Sequence, residues 1–176
     1  MKNIRTMAAC FAAIAVMTMS GFGYAAAQPG DFSTLPVDPN LITDSLAYNA
    51  APAVFNPNGQ PGIETVYTHR DGSRTITSTI LVLPDAGAAT AALDGARAGL
   101  AVANGKPQPA AVGSGGTMLT GTSPDGSKSV TVLSFTEGNT ATTIEFAGAP
   151  KDPAPPDLVL ELGRKQDTAI RDWQAA

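Results

Sequence analysis

Two runs rich in β-branched residues, "IETVYTH" from Ile63 and "SRTITSTILVL" from Ser73, flank the turn residues Arg70, Asp71 and Gly72. Asp-Gly between two such runs is a strong hairpin signal, because both central residues of a type I′ turn need positive φ. With Asp71-Gly72 as the loop, His69 faces Arg74 and Tyr67 faces Ile76. Alternation then gathers Tyr67, Ile76, Ile80 and Val82 on one face of the sheet. Pro84-Asp85 ends the second strand, and Asp85 is placed to cap an Ala-rich helix, "AGAATAALDGARAGLAVAN", closed by Asn104-Gly105. Leu93, Ala96, Leu100 and Ala103 recur there at helical spacing, a narrow face able to lie close to a sheet.

"KPQPAAVGSGG" reads as a loop. Three strands follow it: "TMLTGT", "KSVTVLSF" and "TATTIEFAG", joined by tight turns at "SPDGS" and at Glu137-Gly138-Asn139. "APKDPAPP" breaks the sheet, and Asp157 is expected to cap a last helix whose Leu158, Leu162, Ala169 and Trp173 line one side. The expected fold is therefore α+β: an antiparallel sheet of about five strands in ββαβββα order, with two helices packed on it.

Residues 28 to 62 carry six prolines, yet Leu35, Val37, Leu41, Ile42, Leu46, Tyr48, Val54 and Phe55 are too apolar for a solvated tether. They are read as a Pro-rich arm packed on a single domain at 63 to 176, with one short helix near "NLITDSLAY" capped by Asn40. Ahead of the arm, Lys2 and Arg5 precede the apolar run Met7 to Met19, and Ala25 and Ala27 fit a small-x-small cleavage site. Residues 1 to 27 thus have the layout of a secretory signal peptide, with cleavage expected after Ala27. The apolar run is short for a membrane span, so none is expected after cleavage. Only nine residues precede Cys10, too few for a lipid-attachment signal, and this lone cysteine is expected to leave with the signal. The expected location is secreted or extracytoplasmic, in the cell envelope.

Charge narrows the partners. The chain has 11 Lys and Arg against 15 Asp and Glu, a net charge of −4, and the signal removes two of the cations. With no basic run, nucleic acid is excluded as a partner and acidic lipid surfaces are poor ones.

His69 is the single histidine, and with Arg70 and Asp71 it spells the tripeptide of a kinase catalytic loop. The downstream Asn, the Asp-Phe-Gly and the glycine-rich loop that such chemistry needs are missing. No serine lies in a nucleophile elbow, "GSGG" lacks the residues of a phosphate cradle, and no zinc or calcium spacing occurs. No catalytic residue, metal ligand or cofactor is assigned. What remains is a polar-aromatic patch at the hairpin tip, Tyr67, His69 and Arg74, which could contact an acidic ligand or partner. A cross-strand pair stabilising the hairpin is the structural counterpart of that reading.

The cleaved signal, the Pro-rich arm, "AATAALDGARAGL", "VTVLSFTEGNTATTIEF" and a closing helix resemble the small secreted proteins and lipoproteins of mycobacteria and related actinobacteria. Some share an organisation with the extracellular sensor domains of their Ser/Thr kinases, and a PsbP/Mog1-like α+β sandwich is a related architecture. The resemblance spans residues 63 to 173 and rests on element order. It departs from the lipoproteins in lacking a lipobox and from sensor domains in lacking paired cysteines, and it carries over no site residues. A single cysteine-free α+β domain with an apolar sheet face, two helices and no catalytic set reads as an exported, non-catalytic cell-envelope protein. It is expected to bind a small apolar or lipid-like ligand or a protein partner, between sheet and helices or at the hairpin tips. A small secreted hydrolase using His69 as base is the alternative.

Overall fold

The computed structural model describes residues 31 to 43 and 46 to 176. The signal segment, its cleavage site and Cys10 lie outside the described residues, as do residues 44 and 45 of the short helix expected after Asn40.

Eight strands form one antiparallel sheet: β1 (Tyr48–Ala50), β2 (Val54–Phe55), β3 (Gly62–His69), β4 (Thr75–Val82), β5 (Ala103–Pro109), β6 (Ser114–Thr122), β7 (Ser129–Glu137) and β8 (Thr140–Gly148). Their spatial order is β1-β3-β4-β8-β7-β6-β5, with β2 paired to β3 beside β1. Helix α1 (Ala86–Ala98) follows β4 and helix α2 (Pro156–Ala175) follows β8. The α+β class and the antiparallel sheet are as expected, but among the described residues eight strands replace five and the order is ββββαββββα rather than ββαβββα.

The differences have local causes. β1 and β2 are three and two residues long, too short to show alternation. β5 was expected to be loop because it holds Pro107 and Pro109 and no β-branched residue. It lies at the sheet edge, where proline can be tolerated because an outward position needs no donor. α1 stops at Ala98, capped by the Gly99 N–H, and Asn104 (φ 57°) instead sits where the β5 register shifts. In place of the arm helix are two 3-10 turns, Phe32–Thr34 and Pro39–Leu41, capped by Asp31 and Asp38. Asn40 is occupied elsewhere: its side-chain amide exchanges hydrogen bonds of 2.9 Å with the Tyr48 N–H and C=O, imitating a strand partner.

The hairpin keeps its expected pairing of Tyr67 with Ile76, and the His69 N–H donates to the Arg74 carbonyl at 2.8 Å. Its turn differs from the type I′ expectation. Gly72 N–H donates to His69 O at 2.8 Å, and within the turn Gly72 alone has positive φ (72°), leaving Arg70 and Asp71 at the centre.

Alternation divides the sheet into two unequal faces. One carries Tyr67, Ile76, Ile80, Leu133, Phe135, Ile144 and Phe146, which form the main core with Val159, Leu162 and Ile170 of α2 and with Phe32 and Leu35 of the arm. The buried stripe of α2 is Val159, Leu162, Gln166 and Ile170, offset from the expected Leu158 and Ala169, and Pro155 rather than Asp157 precedes the first turn as N-cap. Trp173 sits half-buried against Phe32, with ring centroids 6.0 Å apart. Gln166 ties the arm down, accepting from Val37 N–H at 3.0 Å and donating to Leu35 O at 2.6 Å. The opposite face has a smaller cluster, Ala89, Leu93 and Ala141, beneath α1, besides the buried Val130 and Val132 of β7.

Two helical glycines report this asymmetry. A Cβ at Gly163 of α2 would lie 2.3 Å from Leu133 Cδ2, a fully buried side chain, whereas a Cβ at Gly95 of α1 meets nothing within 4 Å. Gly163→Ala is expected to destabilise the fold by about 1–3 kcal/mol through overpacking. Gly95→Ala should stabilise it by about 0.5–1 kcal/mol through helix propensity. Urea denaturation of the two variants checks both signs.

Candidate functional site

The hairpin-tip residues are placed as follows. Tyr67 is 5% exposed within the main core, and burial pushes its phenol up to about 12. His69 Nδ1 lies 2.6 Å from Asp71 Oδ1, and its ring meets Tyr48 edge-on, with centroids 5.2 Å apart. Hydrogen bonds from Ser73, side chain and amide, and from His69 hold the Asp71 carboxyl well below the usual range. Arg74 donates from Nη2 to Asp152 Oδ2 at 2.9 Å. His69 and Arg74 therefore share one end of the sheet, each facing a carboxylate of the chain itself, while Tyr67 lies in the interior. Among the described residues no serine hydroxyl hydrogen-bonds to His69, as the hydrolase alternative requires.

A larger feature lies on the other face. Thr79 and Leu81 of β4 and Ala141 and Thr143 of β8 floor a groove of about 920 Å³. One wall is α1, through Ala92, Leu93, Gly95, Ala96 and Gly99; the other is the turn after β2, through Pro57, Asn58 and Gln60. The groove exists because α1 presents mostly alanine and glycine along this side, so no side chain drops into the space above the floor. A second, shallower depression of about 510 Å³ runs between Val37, Leu41 and the charged side of α2 (Glu161, Arg164, Lys165, Asp172).

α1 buries too little to be held by apolar contact alone, and polar ties fix both its ends. At the start, Asp85 Oδ1 accepts from Ala88 N–H at 2.8 Å. The preceding Leu83 is held by Asn139, whose C=O accepts from Leu83 N–H at 2.9 Å and whose amide donates to Leu83 O at 2.7 Å. At the far end, Arg97 reaches onto β6 and β7. Its Nε donates to Ser134 Oγ at 2.9 Å and its Nη2 to Gly115 O at 2.6 Å. The helix thus spans the sheet between two anchors without filling the space beside it. The expected face of Leu93, Ala96, Leu100 and Ala103 found one of these residues, Leu93, in the buried cluster. The signal overlooked was Gly95 and Gly99, one helical turn apart in an alanine-rich segment.

The comparisons bear on the fold. No protein-family model matches the chain, and no curated protein matches it. Among solved structures, it is similar to the extracellular domain of PknH from Mycobacterium tuberculosis. The TM-score is 0.62 at 7% identity, over 83% of this chain and 97% of that one. This likeness shows the fold, and it agrees with the resemblance to extracellular mycobacterial domains drawn from element order. No helix among the described residues is long and apolar enough to cross a membrane.

One titratable cluster stands apart from the groove. Arg171 of α2 donates to Asp167 Oδ2 and, through Nε, lies 3.3 Å from Glu137 Oε2 at the end of β7. Asp167 is buried with Oδ1 unpartnered, and burial, then the adjoining Glu137 carboxyl, raises its pKa. A raised carboxyl favours the proton in the folded state. Its stabilisation is full below the ordinary aspartate value of 3.8 and fades as pH climbs through the raised value. The stability of the wild type relative to Asp167→Asn should therefore be greater near pH 4 than at pH 7. Paired denaturation curves at the two pH values measure this, and an unchanged gap would remove the proton linkage.

Proposed function

We propose that the protein is an exported, non-catalytic binding domain of the cell envelope, and that the groove between α1 and the sheet accepts a small apolar or lipid-like ligand. The observation that carries this reading is the groove itself. Its volume of about 920 Å³ is within the range of small-molecule sites, roughly 300–1,000 Å³. Leu81, Leu93, Ala92, Ala96 and Ala141 supply apolar lining, and Thr79, Thr143, Asn58 and Gln60 supply a few polar groups to orient a ligand. Export is supported by the charged, apolar and small-residue succession of residues 1 to 27 and by the likeness to an extracellular domain. The non-catalytic reading is supported by His69, to which no serine hydroxyl hydrogen-bonds among the described residues, although its Nδ1 faces Asp71.

A protein partner is the second form of this reading. Val54 and Phe55 of the short edge strand β2 are 52% and 53% exposed. Val54 lies on the groove face opposite Glu64 and Phe55 on the other face opposite Ile63, so the sheet edge offers apolar contact on both sides.

Gly95→Phe tests the site, since it projects a ring from an open helix position without entering the core. Envelope lipid extract should raise the melting temperature of the wild type and of His69→Ala, and leave Gly95→Phe unmoved. A ligand at a hundred times its Kd stabilises by about 2.7 kcal/mol, a readily measured shift. Loss of the effect in His69→Ala alone would move the site to the hairpin tip, where Tyr67, His69 and Arg74 were first sought. Ester turnover abolished by His69→Ala would favour the hydrolase.

A further inference from the structure

We infer that the ligand of this groove is a single-chain amphiphile with a cationic head, an alkyl amine in chemical class. The inference rests on the groove being a binding site and adds the charge of its occupant.

The apolar part of the argument is the lining already described. The charge comes from what surrounds the floor. On β3, Glu64 lies next to Thr79 in register, on the same face of the sheet, and its Oε2 accepts from the Thr79 hydroxyl at 3.0 Å. That bond fixes a partly buried carboxylate one strand from the groove's centre. On β8, Glu145 lies two residues beyond Thr143 on the same face, paired across with Thr77 of β4. Glu64 thus stands at the edge of the floor, in the same row as Thr79 and Thr143, with the leucine and alanine of Leu81 and Ala141 on one side of that row and the exposed Glu145 on the other.

α1 adds to this field. Its last turn borders the groove through Gly95, Ala96 and Gly99, which brings the negative end of the helix dipole near the same space.

No lysine, arginine or histidine lines the groove. Arg97, on the last turn of α1, is turned away toward Ser134 and Gly115, and Arg74 is paired with Asp152. A carboxylate or phosphate head would meet the like charge of Glu64 at the edge of the floor. An ammonium head could instead donate to Glu64 and to the threonine hydroxyls while its chain lies on Leu81, Leu93 and Ala141. Because Glu64 is held by Thr79 and partly shielded, such a bond is charge-assisted and costs little further ordering of the carboxylate.

Decylammonium, decanol and decanoate share a chain and differ in the head, so they isolate this effect. Each is titrated calorimetrically, below its micellar concentration at pH 7, into the wild type, Glu64→Gln and Gly95→Phe. Decylammonium should bind about tenfold more tightly than decanol, the size of one charge-assisted hydrogen bond, with decanoate weakest. Glu64→Gln should bring decylammonium down to the affinity of decanol and leave decanol unchanged. Added salt should weaken decylammonium alone.

Equal binding of the three heads, a preference for decanoate, or a selectivity that survives Glu64→Gln would overturn the cationic-head inference. If Gly95→Phe still blocked every probe in that case, the groove would stand as an apolar site. Failure of all three probes to bind the wild type would overturn both readings together.

Discussion

The fold depends on how two-residue alternation sorts side-chain size between the faces of one sheet. Along β3, β4, β7 and β8, one set of positions holds Tyr67, Ile76, Ile80, Leu133, Phe135, Ile144 and Phe146, and the other mixes Val66, Leu81, Val130 and Val132 with Thr77, Thr79, Ser134, Ala141 and Thr143. Bulky residues on the first face demand a thick cover, which α2 and the arm provide. The second face has no aromatic residue on these strands, and the cluster beneath α1 is small, Ala89, Leu93 and Ala141. A one-residue slip in register would exchange the two faces, so the long β4–β8 and β7–β8 ladders decide which face each helix covers.

Where a pattern repeats over seven or more residues, it was readable. The hairpin partners Tyr67 and Ile76, the Asp85 cap and the three strands after residue 114 follow from alternation and turn chemistry that many residues support. Where an element is short or sits at an edge, tertiary context decided. β1, β2 and β5 are strands because a neighbouring strand offers them partners, not because "YNA", "VF" or "ANGKPQP" favour extended structure. Asn104-Gly105 shows the same limit: the pair is an equally good helix stop and bulge, and the position of β6 selects the bulge.

The site was less legible than the fold, and the reason is physical. A catalytic set announces itself through the residues it contains, whereas a groove is defined by side chains that are missing. His69, Arg70 and Asp71 drew attention because they are chemically distinctive, yet a turn uses the same residues: Asp71 accepts from the Ser73 amide at 2.8 Å and from the imidazole beside it. Gly95 and Gly99 look like weak points in a helix. Their meaning appears only once the floor beneath them is known to be threonine, leucine and alanine.

How such a groove persists follows from the way α1 is anchored. A helix resting on Ala89 and Leu93 alone could settle onto the sheet and close the space, since small side chains do not resist approach. Arg97 opposes this. Its guanidinium bridges Ser134 of β7 and Gly115 of β6, fixing the last turn of the helix over strands on the far side of the sheet. The Asp85 cap and the Asn139 clamp on Leu83 fix the first turn over the β8 end. With both ends tied by directional bonds, the middle is set in position and height by geometry rather than by burial. Open volume beside the helix is then a consequence of anchoring, and the same arginine, drawn away to β6 and β7, leaves Glu64 at the edge of the groove without that cation beside it.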